Sequence, residues 1–261
     1  RRVAHAKGAE HGGKADGADD PGQDHDDGGS RGIGAAIVKR LAADGAAVAF
    51  TYVSSAERAN ALASAVTSAG GKALALKADS ADAAAVQQAI RAAVEHFGGL
   101  DILVNNAGVL AWGSTEELTL EQLDHTLAVN VRSVFVASQE AAKHMTDGGR
   151  IINIGSTNAE RIPVAGGAIY AMSKSALVGL AKGMARDLGP RNITVNNVQP
   201  GPVDTEMNPA DGEGAEFLKG LMALDRFGKA GEIAGFVAYL AGPEAGYITG
   251  ASLMIDGGFS A

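Results

Sequence analysis

From residue 28 onward, apolar positions alternate between a helical and a strand period. Within 35–44, Ile37, Val38 and Leu41 share one helical face, and Gly45 follows as a helix end. Residues 46–53 are a short apolar run rich in β-formers, and 56–69 returns to a helical pattern closed by Gly70 and Gly71. The same reading gives further strands at 73–78, 100–104, 150–154, 193–198 and 252–255. Further helices fall at 81–97, 120–145, 169–188 and 231–241. Such alternation specifies a parallel sheet covered by helices on both faces, a doubly wound α/β fold. No repeat of fixed period and no internal linker divides 28–261, so this stretch reads as one domain.

Residues 1–27 break the pattern. Val3 is their only branched aliphatic, while Asp16, Asp19, Asp20, Asp24, Asp26 and Asp27 crowd among glycines with His5, His11 and His25. Such a low-complexity leader buries too little apolar surface to offset the entropy of ordering it. It is expected to be disordered, or a mis-read, out-of-frame stretch. Its histidines and aspartates show no recurring ligand spacing, and no metal site is expected.

Composition narrows the function. A chain of 261 residues, 46% apolar and 20% charged, suits one soluble domain. No apolar run approaches the ~20 residues of a membrane span, and no basic-then-apolar N-terminal signal is seen. With no cysteine, disulfides, thiolate metal sites and a cysteine nucleophile are excluded, and a cytoplasmic protein is expected. A net charge of −8 argues against nucleic acid and anionic membranes as partners. Glycine, at 36 residues, is roughly twice as common as usual, a habit of α/β nucleotide-binding proteins.

Three motifs carry chemistry. Gly28-Gly29-Ser30-Arg31-Gly32-Ile33-Gly34 leads straight into the first helix, where a tight backbone and free N–H groups suit a pyrophosphate. Asn105-Asn106-Ala107-Gly108 ends a strand, and ligands of open parallel sheets sit at the strands' carboxyl ends. Ser156 precedes Tyr170 and Lys174, which lie four apart on a predicted helix and so share one face. Together with Pro200-Gly201 and the terminal Asp256-Gly257-Gly258, these motifs make the chain resemble a single-domain short-chain dehydrogenase/reductase, in flavour a 3-oxoacyl-carrier-protein reductase. The resemblance spans residues 28–261 and implies a Rossmann-type fold.

The cofactor follows from electrostatics and the resemblance. An NAD site usually carries an acid about 20 residues after the loop. Here Thr51, Tyr52, Val53, Ser54 and Ser55 end the second strand, with no acid before Glu57. Arg31 lies inside the loop, where NADP-preferring members keep a base, and with Ser54 and Arg58 it suits a 2′-phosphate. Otherwise Arg31 is a solvated loop charge. NADPH is expected, NADH less so. The family pattern places Asp79, followed by Ser80, at the adenine, though Asp79 also suits an N-cap for the next helix. It places Asn106, Ala107 and Gly108 beside the adenosine ribose, and Val203 and Thr205 at the nicotinamide carboxamide, after Pro200 and Gly201.

For catalysis, a lysine ammonium near a phenol favours the phenolate, so Tyr170 can donate a proton to a carbonyl oxygen as hydride arrives. Ser156 is placed to hydrogen-bond that oxygen, with Thr157 as the alternative if the loop is registered differently. Asn130 matches the family asparagine that holds a water linking the lysine to solvent. Substrate contacts are expected from 158–166, 110–114 and a lid at 206–224, with Trp112 able to cover a ring.

One feature departs from the family. The apolar strand expected just before Gly28 is replaced by Gln23-Asp24-His25-Asp26-Asp27, so the central strand reads as absent. The expected activity is NADPH-dependent reduction of a small ketone or 3-oxoacyl substrate. The alternative is a catalytically weak nucleotide-binding regulator on the same fold. The resemblance implies a homotetramer packed through helices 120–145 and 169–188.

Overall fold

A computed structural model describes residues 1–6 and 31–261. Its first half runs β1 (Arg2–Ala6), α1 (Gly32–Ala43), β2 (Ala47–Tyr52), α2 (Ala56–Ser68), β3 (Lys72–Lys77), α3 (Ala83–Phe97) and β4 (Leu100–Asn105). Then come α4 (Leu120–Leu127), α5 (Ser133–His144), β5 (Met145–Ile154), α6 (Ala168–Leu188) and β6 (Thr194–Pro200). The chain closes with β7 (Val203–Asp204), α7 (Ala215–Lys219), β8 (Gly228–Lys229), α8 (Ala230–Ala241) and β9 (Ser252–Ile255). Seven strands form one sheet in the order β3-β2-β1-β4-β5-β6-β9, every pairing parallel. The order reverses between β1 and β4, which opens a crevice at the carboxyl ends of those strands.

Strand residues alternate between two cores, as a sheet buried on both faces requires. Val3, Val48, Ile102 and Ile152 pack with Ile37, Val38 and Leu41 of α1 and with Ile233 and Val237 of α8. Ala4, Leu103, Ile151 and Val195 pack on the opposite face with Val86 and Ile90 of α3, Ala137 of α5 and Ala181 of α6.

The central strand corrects the sequence reading. It is not lost. It is Arg2–Ala6, at the start of the segment read as a leader, paired parallel with both β2 and β4. Val3 and Ala4 are buried, one toward each core. Arg2 ties the strand's base to Asp101, through its backbone N–H at 2.6 Å and its guanidinium at 2.8 Å. One β-branched residue and two alanines gave no strand signal, and the glycine loop does not follow the strand directly. The replaced segment Gln23–Asp27, with Gly28 and Ser30, lies outside the described residues.

Two further differences bear on the site. The stretch predicted as one helix over 120–145 is interrupted by a π-helical turn at Ala128–Arg132. Asp82, not Asp79, caps α3, accepting from the N–H groups of Ala84 and Ala85.

Candidate active site

α6 starts one residue before Ile169 and carries Tyr170, Ser173 and Lys174 in its first two turns. Lys174 is only 3% exposed and donates from Nζ to the carbonyl of Ile154, the last residue of β5, at 3.0 Å. Burial pulls its pKa down to about 8, because the charged form loses its hydration. The ammonium stands 5.7 Å from the centre of the half-buried Tyr170 ring.

Asn130 sits in the π-turn, fully buried. Its Oδ1 accepts from the Val109 N–H at 2.8 Å, while Nδ2 donates to the Val109 carbonyl at 3.0 Å and to Ser173 Oγ at 2.9 Å. Ser173 in turn donates to the Tyr170 carbonyl at 2.7 Å. The extra residue of a π-turn widens the helix and aims this amide inward, a recurrent device at functional sites. Gly108 completes the cluster: a Cβ there would lie 3.1 Å from Lys174 Nζ and 3.7 Å from Asn130 Oδ1.

Ser156 follows β5, is buried, and accepts from the Asn158 N–H at 3.1 Å to head a 3₁₀ turn at Thr157–Ala159. Thr157, the alternative, is buried in that turn.

Several of the predicted cofactor residues that the structure describes lie at or just after strand carboxyl ends or at the start of α1. Arg31 enters α1 in extended conformation and Gly32 has φ +50. A Cβ on Gly32 would lie 3.2 Å from the Thr205 methyl, so the end of the glycine loop meets the segment after Pro200-Gly201. Gly201 passes so close to the terminal turn that a Cβ would come within 2.8 Å of Asp256 Cα. Ile33 is half-buried, while Gly34, Ser80, Ala107 and Val203 are buried. Tyr52 ends β2 half-buried, with Ser54 exposed beyond it. Asp79 is exposed and accepts from the Ala81 N–H at 2.8 Å, and Asn106 is half-buried.

Of the expected substrate segments, the lid packs Ala215 and Met222 against Phe227 and Phe259 and leaves Met207 and Phe217 exposed. Arg161 reaches across from the loop after Ser156 to the Phe259 carbonyl and ring. Among the described residues, no group of three or more metal-ligating side chains comes together, and no helix is long and apolar enough to cross a membrane.

Sequence reasoning missed Ser173 and a side-chain ladder beneath the site. Asn105 donates to Asn153 at 2.8 Å, Asn153 to Asn197 at 2.9 Å, and Asn197 to the Leu177 carbonyl of α6 at 2.9 Å. Three asparagines at the same depth in neighbouring strands were the available signal, hidden until the register was known.

Comparison with known proteins gives one consistent likeness. A family model described as enoyl-(acyl carrier protein) reductase matches residues 28–260. The cyclic-di-GMP-binding biofilm dispersal mediator protein of Escherichia coli K12 is 52% identical over 234 residues, covering 90% of this chain and 95% of that protein. A short-chain dehydrogenase/reductase from Serratia marcescens is 73% identical, with a TM-score of 0.90 over 100% of this chain and 98% of that one. A short-chain dehydrogenase from Burkholderia cenocepacia, solved in complex with NADP, is 57% identical, with a TM-score of 0.88 over 90% of this chain and 96% of that one.

Proposed function

The chain belongs to the short-chain dehydrogenase/reductase family, and on that premise we propose that it reduces a small ketone or 3-oxoacyl substrate to the alcohol with NADPH, reversibly and in the cytoplasm. The observation that carries the reading is the buried Lys174 ammonium, held at the Ile154 carbonyl beside the Tyr170 ring. Burying an ammonium with no carboxylate partner among the described residues costs stability, and chemistry is the reason to retain it.

The residues fit NADP(H). Gly108 and Gly32 leave room where a side chain would intrude, and Arg31 supplies a cation with no acid near the end of β2. When bound, the reduced nicotinamide supplies hydride to the carbonyl carbon. Tyr170 donates the proton to the carbonyl oxygen, and Ser156 hydrogen-bonds that oxygen as charge builds. Lys174 stabilises the negative phenolic oxygen left behind. Asn130 and Ser173 hold the first turn of α6 in place. The named complex of the Burkholderia relative supports this choice of cofactor.

Assembly as a homotetramer is part of the proposal. Phe135 of α5 and Met172 of α6 are exposed, as are Tyr239 of α8 and Met254 of β9. Exposed apolar side chains on several elements suit subunit contacts.

The Escherichia coli relative's name supports a second reading, a nucleotide-binding regulator on the same fold. A panel of ketones and 3-oxoacyl thioesters with NADPH and NADH side by side separates the two. Alcohol formed in step with NADPH consumed supports the reductase. Tight binding of cyclic-di-GMP with no turnover on any substrate favours the regulator.

A further inference from the structure

Trp112 lies in the loop after β4, half-buried, and is the only tryptophan in the sequence. Its indole lies along Gly166 and Gly167, the two residues that lead into α6. A Cβ on Gly166 would fall 2.5 Å from the indole Nε1, and one on Gly167 2.9 Å from Cη2. The two loops are also joined by backbone, since the Gly113 N–H donates to the Gly166 carbonyl at 3.1 Å.

This contact closes a ring. Asn130 grips Val109 through both backbone groups, and Trp112 follows Val109 by three residues. Trp112 covers Gly166-Gly167, and Tyr170 follows Gly167 by three residues. On the other side, Asn130 reaches Tyr170 through Ser173. The first turn of α6 is therefore held from within by Ser173 and from the front by the indole. Gly167 is the residue that caps this helix, and its carbonyl accepts the first helical bond, from the Ala171 N–H at 2.8 Å.

We propose that Trp112 is a positioning residue: the indole fixes the start of α6 and thereby the place of the Tyr170 hydroxyl. The inference rests on the reductase reading for its catalytic consequence, but not for its structural one. Glycine is required at 167 because any side chain would lift the indole, although the backbone there is compatible with other residues.

The test uses Trp112→Ala, Trp112→Phe and Gly167→Ala in the full chain. Hydrogen exchange over residues 166–172 is expected to quicken by about tenfold in Trp112→Ala and Gly167→Ala, with residues 100–105 unchanged. Turnover is expected to fall by roughly 10- to 100-fold in kcat, with NADPH affinity within about twofold of the parent, and Trp112→Phe recovers most of it. Unchanged exchange over 166–172 overturns the proposal, as does a loss confined to KM, which marks a pocket wall alone. If the parent protein turns over no carbonyl substrate, the reductase reading falls, and the exchange result still decides the role of Trp112.

Discussion

The Lys174 ammonium stands 5.7 Å from the centre of the Tyr170 ring, one helical turn further along α6. The two residues differ in exposure: Lys174 is buried, while Tyr170 is half-buried. A buried charge acts on its neighbours more strongly than one in water, because less solvent screens it.

That burial has a thermodynamic signature. Folding lowers the Lys174 pKa from 10.5 to about 8, so between these values the unfolded chain keeps a proton that the folded chain has released. Stability carried by this site therefore rises with pH across that window. In urea denaturation, the parent is expected to gain on Lys174→Met as pH climbs from 8 to 10.5. Parallel curves for the two proteins would show that the ammonium is not desolvated by folding.

Arg31 enters α1 at the end of the glycine loop, with no acid between Thr51 and Ser55 to oppose a 2′-phosphate. Removing one charge-assisted hydrogen bond costs about 1.5–3 kcal/mol, so Arg31→Ala is expected to weaken NADPH binding roughly 10- to 100-fold. NADH binding stays where it was. Calorimetric titration with both cofactors checks this, and an equal loss for both removes Arg31 from 2′-phosphate recognition.

Most elements were legible in the sequence because their periodicity survives burial on two faces. The helix of Tyr170 and Lys174 was read to within one residue at its start, since Ile169, Leu177 and Leu180 repeat at helical spacing. β1 was not, because Arg2–Ala6 offers one branched residue and draws its stability from β2 and β4, which no local window reveals. Asn130 was found by motif, yet the π-turn that aims it inward leaves no mark in the hydrophobic pattern. Contacts between distant loops, such as Trp112 with Gly167, exist only once the fold has formed.

Away from the site, Glu140 is buried and accepts from Arg91 and Lys143 at 2.7 Å and pairs with His144 at 3.2 Å. The Arg91 and Lys143 hydrogen bonds hold its pKa at about 2, below the ordinary 4.5. A carboxylate so depressed stabilises the fold above its unfolded value, and the benefit is lost as pH falls through the folded one. Glu140→Gln is expected to be less stable than the parent near neutrality, with the gap closing as pH drops from 4.5 toward 2. Thermal denaturation over that range decides it, and a gap that stays constant contradicts the assignment.

The most direct test concerns the Tyr170 hydroxyl. Tyr170→Phe removes one oxygen and leaves the ring beside Lys174, so folding and NADPH binding are expected to match the parent. Steady-state consumption of NADPH with a reducible ketone is expected to fall by roughly 10²- to 10⁴-fold, the usual worth of a positioned proton donor. A phenylalanine variant that reduces the ketone at the parent's rate would contradict the account, because the proton would then come from elsewhere.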